Sequence, residues 1–385
     1  MPDHPNPVPQ FSIAEARRIV QDLFEPDPRI YWADFLLSLG VGSASFLGSR
    51  LIVRFSADWH PWWPAIGLLS VVASLAFYRA SLFTHELTHL RRGEFRLFRL
   101  AWDGLFGIPS LMPSFLYHVH LAHHRRKHYA TREDGEYLPL ARRPAWHIVW
   151  YLAQSVLIPA LGIVRFGLLT PLSWASPRFR GWLIRRASSM VIDPTYVRPM
   201  PTPEQLRGWR IQEAGCLAVV WLAVLATVSG IVLPSLFLHL YAIAVAIVLL
   251  NEIRTLGAHR YQFAEGEVTF VAQLTDSLNH PGWPWLGELW APVGLRFHAL
   301  HHLFPSLPYH VLAKAHRRLM RELPPDSLYR QTVSPSLWRS IRVLWSQARQ
   351  VNRGPASEQN RKDDTHPSLS RSISLGEPFS RRLRS

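Results

Sequence analysis

The feature that most constrains the fold of this chain is an apolar run at residues 214–250, which contains no Asp, Glu, Lys or Arg. A helix needs about 20 residues to cross the hydrocarbon core of a bilayer, so this run is too long for one crossing. An S-G pair and a P-S pair interrupt it within 229–235, and such pairs favour turns. The run therefore predicts two membrane-spanning helices, near 214–232 and 234–256, that form a hairpin.

A second pair of apolar runs lies nearer the N-terminus, at 32–53 and 62–83, with a short connection between them. A tryptophan pair begins the second run, as is typical of the boundary between membrane and water. Two more apolar stretches, 105–117 and 146–170, contain Pro or Gly breaks, which favour helices that lie on the membrane surface or dip into it. The expected fold is all-α and integral to the membrane, with four transmembrane helices in two hairpins.

Basic residues are distributed unevenly around these runs and predict their orientation. Most arginines lie in 84–211 and after residue 256, whereas the tip of the second hairpin is uncharged. Because cytoplasmic loops are enriched in Lys and Arg, we expect both termini and a helical cap in the cytoplasm. Three units follow: a cytoplasmic N-terminal segment at 1–30, a membrane domain at 31–350, and a disordered Ser- and Arg-rich tail at 351–385.

Composition limits the partners and the metal ligands that this chain can use. It carries 42 Lys and Arg against 27 Asp and Glu, a formal net charge of +15 with His neutral. Such an excess suits an anionic membrane surface or an acidic protein. Nucleic acid fits least, because the basic segments alternate with apolar runs of membrane length. The single cysteine, Cys216, cannot form an intrachain disulfide or a cysteine-ligated cluster, so a metal site must use histidine and oxygen ligands.

Histidines are concentrated in three short motifs that all fall on the predicted cytoplasmic side. They read HELTH at 85–89, HLAHH at 120–124 and HALHH at 298–302. Residues three or four positions apart share one face of a helix, so each motif can point its imidazoles at one spot. Three such motifs on one side predict a metal centre. Its eight candidate ligands are His85, His89, His120, His123, His124, His298, His301 and His302.

HELTH alone also fits the H-E-x-x-H pattern of zinc metalloproteases, in which Glu86 would act as the general base. A zinc protease, however, uses three protein ligands and one open position. Eight clustered histidines suit two metal ions instead, and Glu86 is then expected to orient a ligating imidazole. Imidazole binds Fe, Zn, Cu and Ni, so the spacing does not identify the metal.

The three motifs, in this order among four spans, resemble the three histidine boxes of the integral-membrane fatty acid desaturases. The flanks HLAHHRRKHYATREDGEY and GLRFHALHHLFPSLPYHVLAKAHRRL are also similar, and the resemblance covers roughly 30–325. It implies two non-haem iron ions as cofactors. It also implies O₂-dependent introduction of a cis double bond into a fatty acyl lipid or an acyl thioester, for lipid metabolism.

The resemblance implies a ninth ligand, His259, which follows the last span. Members that act on acyl-CoA tend to have an asparagine four residues before this histidine, where the present chain has Thr255. An asparagine lies one turn earlier. An acidic pair follows the second motif, and one further histidine continues its helical stripe. The residues expected to surround and orient the ligands are Glu86, His128, Asp134, Glu136 and Asn251.

No flavin, haem or iron–sulfur module is evident in the sequence, although desaturation consumes two electrons. The segment HPGW at 280–283 is similar to the haem-binding H-P-G-G of cytochrome b5, but it lacks the last glycine and no domain of that size surrounds it. We therefore expect an external electron donor of the ferredoxin or cytochrome b5 type. Its docking sites would be Arg-rich stretches such as 91–99, 123–128 and 315–321.

Three other functions stay open at the level of sequence. A hydroxylase or ketolase of the same superfamily would use the same motifs but transfer oxygen to carbon. A membrane zinc metalloprotease would use HELTH alone, and a non-enzymatic membrane protein would bind metal for storage or sensing. Product analysis separates the first of these from a desaturase, and a peptide-cleavage assay tests the second.

Overall fold

The computed structural model describes residues 12–56, 58–90, 93, 95–263, 266 and 268–351. Within these ranges the chain is helical and has no β-strand, only isolated bridges such as that between His259 and Ser277. This confirms the predicted all-α class. The predicted disordered tail lies outside the described residues apart from Val351, and so do the first eleven residues of the predicted N-terminal segment.

The α-helices of the described ranges are numbered here in chain order. They are α1 (Ile13–Ile19), α2 (Pro28–Phe55), α3 (Trp63–Ser81), α4 (Phe83–His89), α5 (Arg96–Trp102), α6 (His120–His123), α7 (Trp146–Ala153), α8 (Ile158–Val164), α9 (Thr170–Ala175), α10 (Pro177–Arg186), α11 (Pro203–Val228), α12 (Pro234–Leu256), α13 (Phe270–Asp276), α14 (Pro284–Trp290), α15 (His298–Leu303), α16 (Leu312–Glu322) and α17 (Leu337–Val351). Single π-helical turns follow α5 and α8.

Five helical stretches in the described ranges are long and apolar enough to cross a membrane. They are Pro28–Phe55, His60–His89, Ile158–Ala175, Pro203–Val228 and Pro234–Leu256. Four of them coincide with the predicted spans. The stretch Ile158–Ala175 belongs to the region predicted to lie at the interface, and its 18 residues extend about 27 Å at roughly 1.5 Å per residue. The number of crossings therefore stays a prediction.

Close helix packing holds the bundle together around α3. Gly42 of α2 faces the ring of Phe77 on α3, where an added Cβ would lie 2.6 Å from the ring. Small residues at such contacts let membrane helices approach closely. On its other side α3 meets α12, where Ser70 Oγ lies 2.9 Å from His239 Nε2. These contacts place α2, α3 and α12 in one bundle, in which α3 and α12 run in the same direction and α2 runs opposite to both.

One carboxylate connects α11 to the segment that contains α8, α9 and α10. Glu213 is fully buried and pairs with Arg165 at 2.6 Å and with Arg180 at 2.8 Å. A buried charge of this kind requires partners, because its desolvation is costly. The ion pairs therefore fix the fifth candidate span against α11.

The cap is built at one end of the bundle, where the start of α2 and the ends of α4 and α12 meet. Its main cluster of buried apolar side chains joins α1 to α15 and α16 and includes Val20, Leu300, Leu319 and Tyr329. The described part of the N-terminal segment thus packs on the cap. This packing surrounds the third histidine motif with apolar side chains.

Candidate metal centre

Nine histidines form two adjacent groups inside the cap. Within each group the members offer ring nitrogens that all lie within 4.8 Å of one another. The structure thus brings together the nine histidines named from the sequence, His259 included. The first group is His85, His89, His120, His124 and His301, and the second is His123, His259, His298 and His302.

Helical spacing divides the second and third motifs between the two groups. His120 and His124 lie four positions apart and enter the first group, whereas His123 turns to the second. In the third motif the pair four positions apart enters the second group, and His301 turns to the first. The expectation that each motif points at one spot was therefore wrong for these two motifs, since i+3 and i+4 neighbours diverge enough to serve adjacent sites.

The separations between ring nitrogens fit metal coordination. His301 Nε2 lies 3.1 Å from His124 Nε2, and in the second group His259 Nε2 lies 2.9 Å from His298 Nε2. Two imidazole nitrogens at about 2.1 Å from one ion and roughly at right angles would be about 3.0 Å apart. The observed spacing is therefore that of neighbouring ligands on one ion.

Unpartnered ring nitrogens also fit a metal. His85 is 2% exposed, and neither of its ring nitrogens has a hydrogen-bond partner. An unsatisfied buried polar atom costs about 1–3 kcal/mol. A bound cation would satisfy one nitrogen of this ring. The donor set of neutral imidazoles suits Fe, Zn, Cu or Ni.

Acidic residues after the second motif orient two of the rings. His120 Nδ1 lies 2.9 Å from Glu136 Oε2, and His123 Nδ1 lies 2.9 Å from Asp134 Oδ2. A proton on Nδ1 that is donated to a carboxylate leaves the lone pair on Nε2 for a metal. The acidic pair thus has the contacts expected of it.

A second set of contacts, around His259, was not apparent from the sequence. The Tyr129 hydroxyl lies 2.9 Å from His259 Nδ1 and donates to Asp276 at 2.7 Å, while Ser277 Oγ lies 3.2 Å from the same ring nitrogen. Tyr137 also donates to Asp276, at 3.0 Å. Nothing local in the sequence marks this network, because Asp276 lies 147 positions beyond its partner Tyr129.

Three other residues expected to orient imidazoles make different contacts. Glu86 Oε2 accepts hydrogen bonds from the Tyr31 hydroxyl at 2.8 Å and from the Tyr309 amide at 3.2 Å. Its Oε1 is 3.7 Å from His85 Nδ1, beyond hydrogen-bond distance. Glu86 therefore connects α4 to α2 and to the segment after α15.

The remaining two residues point to other partners. His128 pairs with Glu133, and Asn251 Oδ1 accepts from Arg254 at 3.1 Å. Neither forms a hydrogen bond to one of the nine histidines within the described residues.

Burial keeps most of these imidazoles uncharged. It lowers the pKa of His120, His298 and His301 well below the usual histidine value, and neighbouring histidines lower it further. Neutral imidazole is the form that binds metal. At His123 burial also lowers the pKa, but the carboxylates of Asp134, Glu136 and Asp276 together outweigh it, and the net pKa is raised. A carboxylate partner of this kind increases the basicity of a ligating ring.

Two comparisons with known proteins identify the family of a chain with this arrangement of histidines. The family described as "Fatty acid desaturase" matches residues 57–334. A protein named "Ceramide hydroxylase" from Caulobacter vibrioides (strain NA1000 / CB15N) is 38% identical over 344 residues, which cover 88% of this chain and 94% of that protein. Both matches include all three histidine motifs of an oxidoreductase family, and they confirm the resemblance seen in the sequence. This chain belongs to the fatty acid desaturase family.

Proposed function

We propose that this protein is an O₂-dependent oxidoreductase that hydroxylates a ceramide within a membrane. The observation that carries the proposal is the pair of adjacent groups of buried histidines, since two such sites suit the oxidation of an unactivated C–H bond. The choice of hydroxylation and of ceramide follows the relative named a ceramide hydroxylase, which is similar over 88% of the chain.

The ligands in this proposal are the nine histidines of the two groups. His85, His89, His120, His124 and His301 would hold one iron ion, and His123, His259, His298 and His302 the other. Imidazole does not select iron by itself, and the assignment of iron rests on the family. When bound, the two ions would supply the reductive activation of O₂.

The polypeptide orients the imidazole ligands, excludes bulk water from the site and gives the lipid substrate access to it. Asp134 and Glu136 retain the Nδ1 protons of their imidazole partners, and Tyr129 lies at the Nδ1 of His259. The apolar cluster of the cap excludes bulk water. Because the groups lie where α4 and α12 end, a lipid chain would approach them from the side of the candidate spans. Holding one carbon against the oxidant in this way is the main contribution that a protein makes to such chemistry.

The balance of the reaction requires an external reductant. Hydroxylation takes a C–H bond, O₂, two electrons and two protons to a C–OH group and one water molecule. We propose a one-electron donor of the ferredoxin or cytochrome b5 type that docks near Arg125, Arg126 and Lys127. These exposed residues directly follow His124. By the positive-inside rule this face and both termini would lie in the cytoplasm.

Desaturation of a fatty acyl chain is the second candidate, favoured by the family description and by the flanks of the histidine motifs. It uses the same O₂ and electrons, but it removes a second hydrogen and yields two water molecules. A zinc metalloprotease fits less well, because three protein ligands would leave six of the nine histidines without a role.

The test is product analysis by mass spectrometry. The protein would be expressed with a donor in a host that makes saturated ceramide, beside a His301→Ala variant as the inactive control. A ceramide that gains one oxygen atom and no double bond supports hydroxylation. A lipid that loses two hydrogen atoms supports desaturation. Unchanged lipids in an iron-loaded, reduced preparation would overturn both.

A further inference from the structure

Arg254 is a buried cation on the membrane side of the two histidine groups. It lies on α12, five residues before His259, and is 8% exposed. Its Nε and Nη2 donate to Asn251 Oδ1 at 3.2 and 3.1 Å, and Nη2 also donates to Thr255 Oγ1 at 3.0 Å. These acceptors are neutral groups on the same helix. The guanidinium also interacts electrostatically with the Glu136 carboxylate, which pairs with His120 and is not within ion-pair distance of Arg254.

Two other arginines inside the candidate spans, Arg79 and Arg165, form ion pairs with carboxylates. Arg79 contacts Asp34 at 2.6 Å and Glu288 at 2.8 Å, and Arg165 contacts Glu213 at 2.6 Å. Arg254 has no such ion pair within the described part of the chain. Burial of an unpaired charge is costly, and an ionisable residue among membrane helices marks a functional site whose partner should be sought.

The surroundings of Arg254 make its charge more costly still. The guanidinium interacts electrostatically with His85 of the first group and with His298 of the second. Two metal ions in these groups would add further positive charge close by. A cation at this position therefore needs an electron-rich partner. Arg254 lies on the side of the histidine groups from which a lipid chain would approach.

We propose that Arg254 binds the amide carbonyl oxygen of the ceramide, so that the oxidised carbon lies within a few bonds of the amide. This inference rests on the proposed function, because it takes the substrate to be a ceramide. A long chain that is oxidised at its middle would place only methylene groups against the guanidinium and would leave it without an acceptor. Arg254 would thus select both the lipid class and the position of attack.

Binding in the absence of reductant provides a test that does not depend on turnover. A short-chain fluorescent ceramide would be titrated into the purified protein in detergent micelles. Loss of one hydrogen bond from a charged donor costs about 1.5–3 kcal/mol, so Arg254→Met should weaken binding about 10- to 100-fold. Arg254→Lys keeps a cationic donor and should restore part of the affinity. Wild-type protein should bind an analogue with a secondary amine in place of the amide as weakly as Arg254→Met binds ceramide.

The matched control is Glu252→Gln on the same helix. Glu252 is also buried, 3% exposed, with one carboxylate oxygen lacking a partner, and it lies two residues from Arg254. Replacing this carboxyl group by an amide should leave ceramide binding unchanged. Thermal unfolding of each variant reports loss of structure separately, and the amine analogue on wild-type protein tests the carbonyl contact even where Arg254→Met fails to fold.

The product position gives a second readout. Wild-type protein should oxidise a carbon near the amide, and Arg254→Lys should yield products spread along the chain. Equal binding of ceramide and its amine analogue by wild-type protein would overturn the inference. Tighter Arg254-dependent binding of a free fatty acid than of ceramide would overturn it too, in favour of a carboxylate. If wild-type protein oxidised only fatty acyl lipids and never ceramide, the proposed function itself would fail.

Discussion

His301 and His89 lie 212 positions apart in the chain, yet their Nε2 atoms are separated by 3.1 Å. His89 ends the second candidate span, and His301 belongs to the short helix α15 in the cap. A metal ion shared by these two rings would join the cap to the membrane bundle. The contact therefore links the position of the third histidine motif to that of the first.

Substitution of His301 tests this link. His301→Ala should reduce turnover by more than roughly 100-fold, beyond the usual effect of a residue that only orients a ligand. The protein should stay in the membrane fraction, because the spans do not depend on this ring. His316→Ala is the control, since His316 is buried and bonds to Tyr329 at 2.8 Å outside both groups. Substantial activity in His301→Ala would remove this residue from the ligand set.

Metal content tests the pairing of the two groups. Elemental analysis of well-loaded, active protein should give two iron ions per chain, because each group provides at least four imidazoles. Chelation should remove both ions together with activity, and iron should restore it. Active protein that contains one zinc ion per chain and no iron would contradict the proposal.

The contacts around His259 predict a selective effect of one hydroxyl. Tyr129→Phe removes the contact at His259 Nδ1 and a donor to Asp276, and we expect metal affinity or turnover to fall about 10- to 100-fold. Tyr137→Phe is a matched control, because Tyr137 donates to Asp276 but forms no hydrogen bond to the histidine. Equal effects of the two substitutions, measured by iron titration, would show that Tyr129 acts through Asp276 and not through its contact with His259.

Membrane topology can be measured with reporter fusions. Fusions at 58 and 231 should report the outer side, and fusions at 140 and 340 the cytoplasmic side. A fusion at 195 distinguishes the crossing of Ile158–Ala175: if this stretch only dips into the membrane, 195 lies on the same side as 140. Opposite sides for 140 and 195 would show a fifth crossing.

Electron delivery should depend on ionic strength. Charge attraction between proteins speeds their encounter and is screened over about 8 Å at physiological salt. Reversal of Arg125 and Arg126 to Glu should therefore slow reduction by the donor more than it affects lipid binding. Arg54→Glu is the control, because Arg54 ends α2 far from the cap. If donor-supported turnover changed neither with salt concentration nor with these charge reversals, docking at this face would be excluded.

The parts of the structure that depend on local spacing were predictable from the sequence. Apolar runs identify α2, α3, α11 and α12, and the histidine motifs identify the metal centre. Contacts that form only in the folded chain were not predictable from the sequence. Asp276 reaches Tyr129, and Tyr31 reaches Glu86, through the packing of separate helices, and no local pattern records such contacts. The cationic Arg254 is likewise an ordinary residue at the end of an apolar run until the structure shows that no carboxylate lies within ion-pair distance of it among the described residues.

The division of each H-x-x-H-H motif between the two histidine groups has a consequence for how this protein can evolve. A shift of α6 or α15 by one residue would displace the rings offered to both groups at once. Neither site can therefore acquire a new geometry while the other keeps its own. Selection therefore acts on the two histidine groups as one inherited unit.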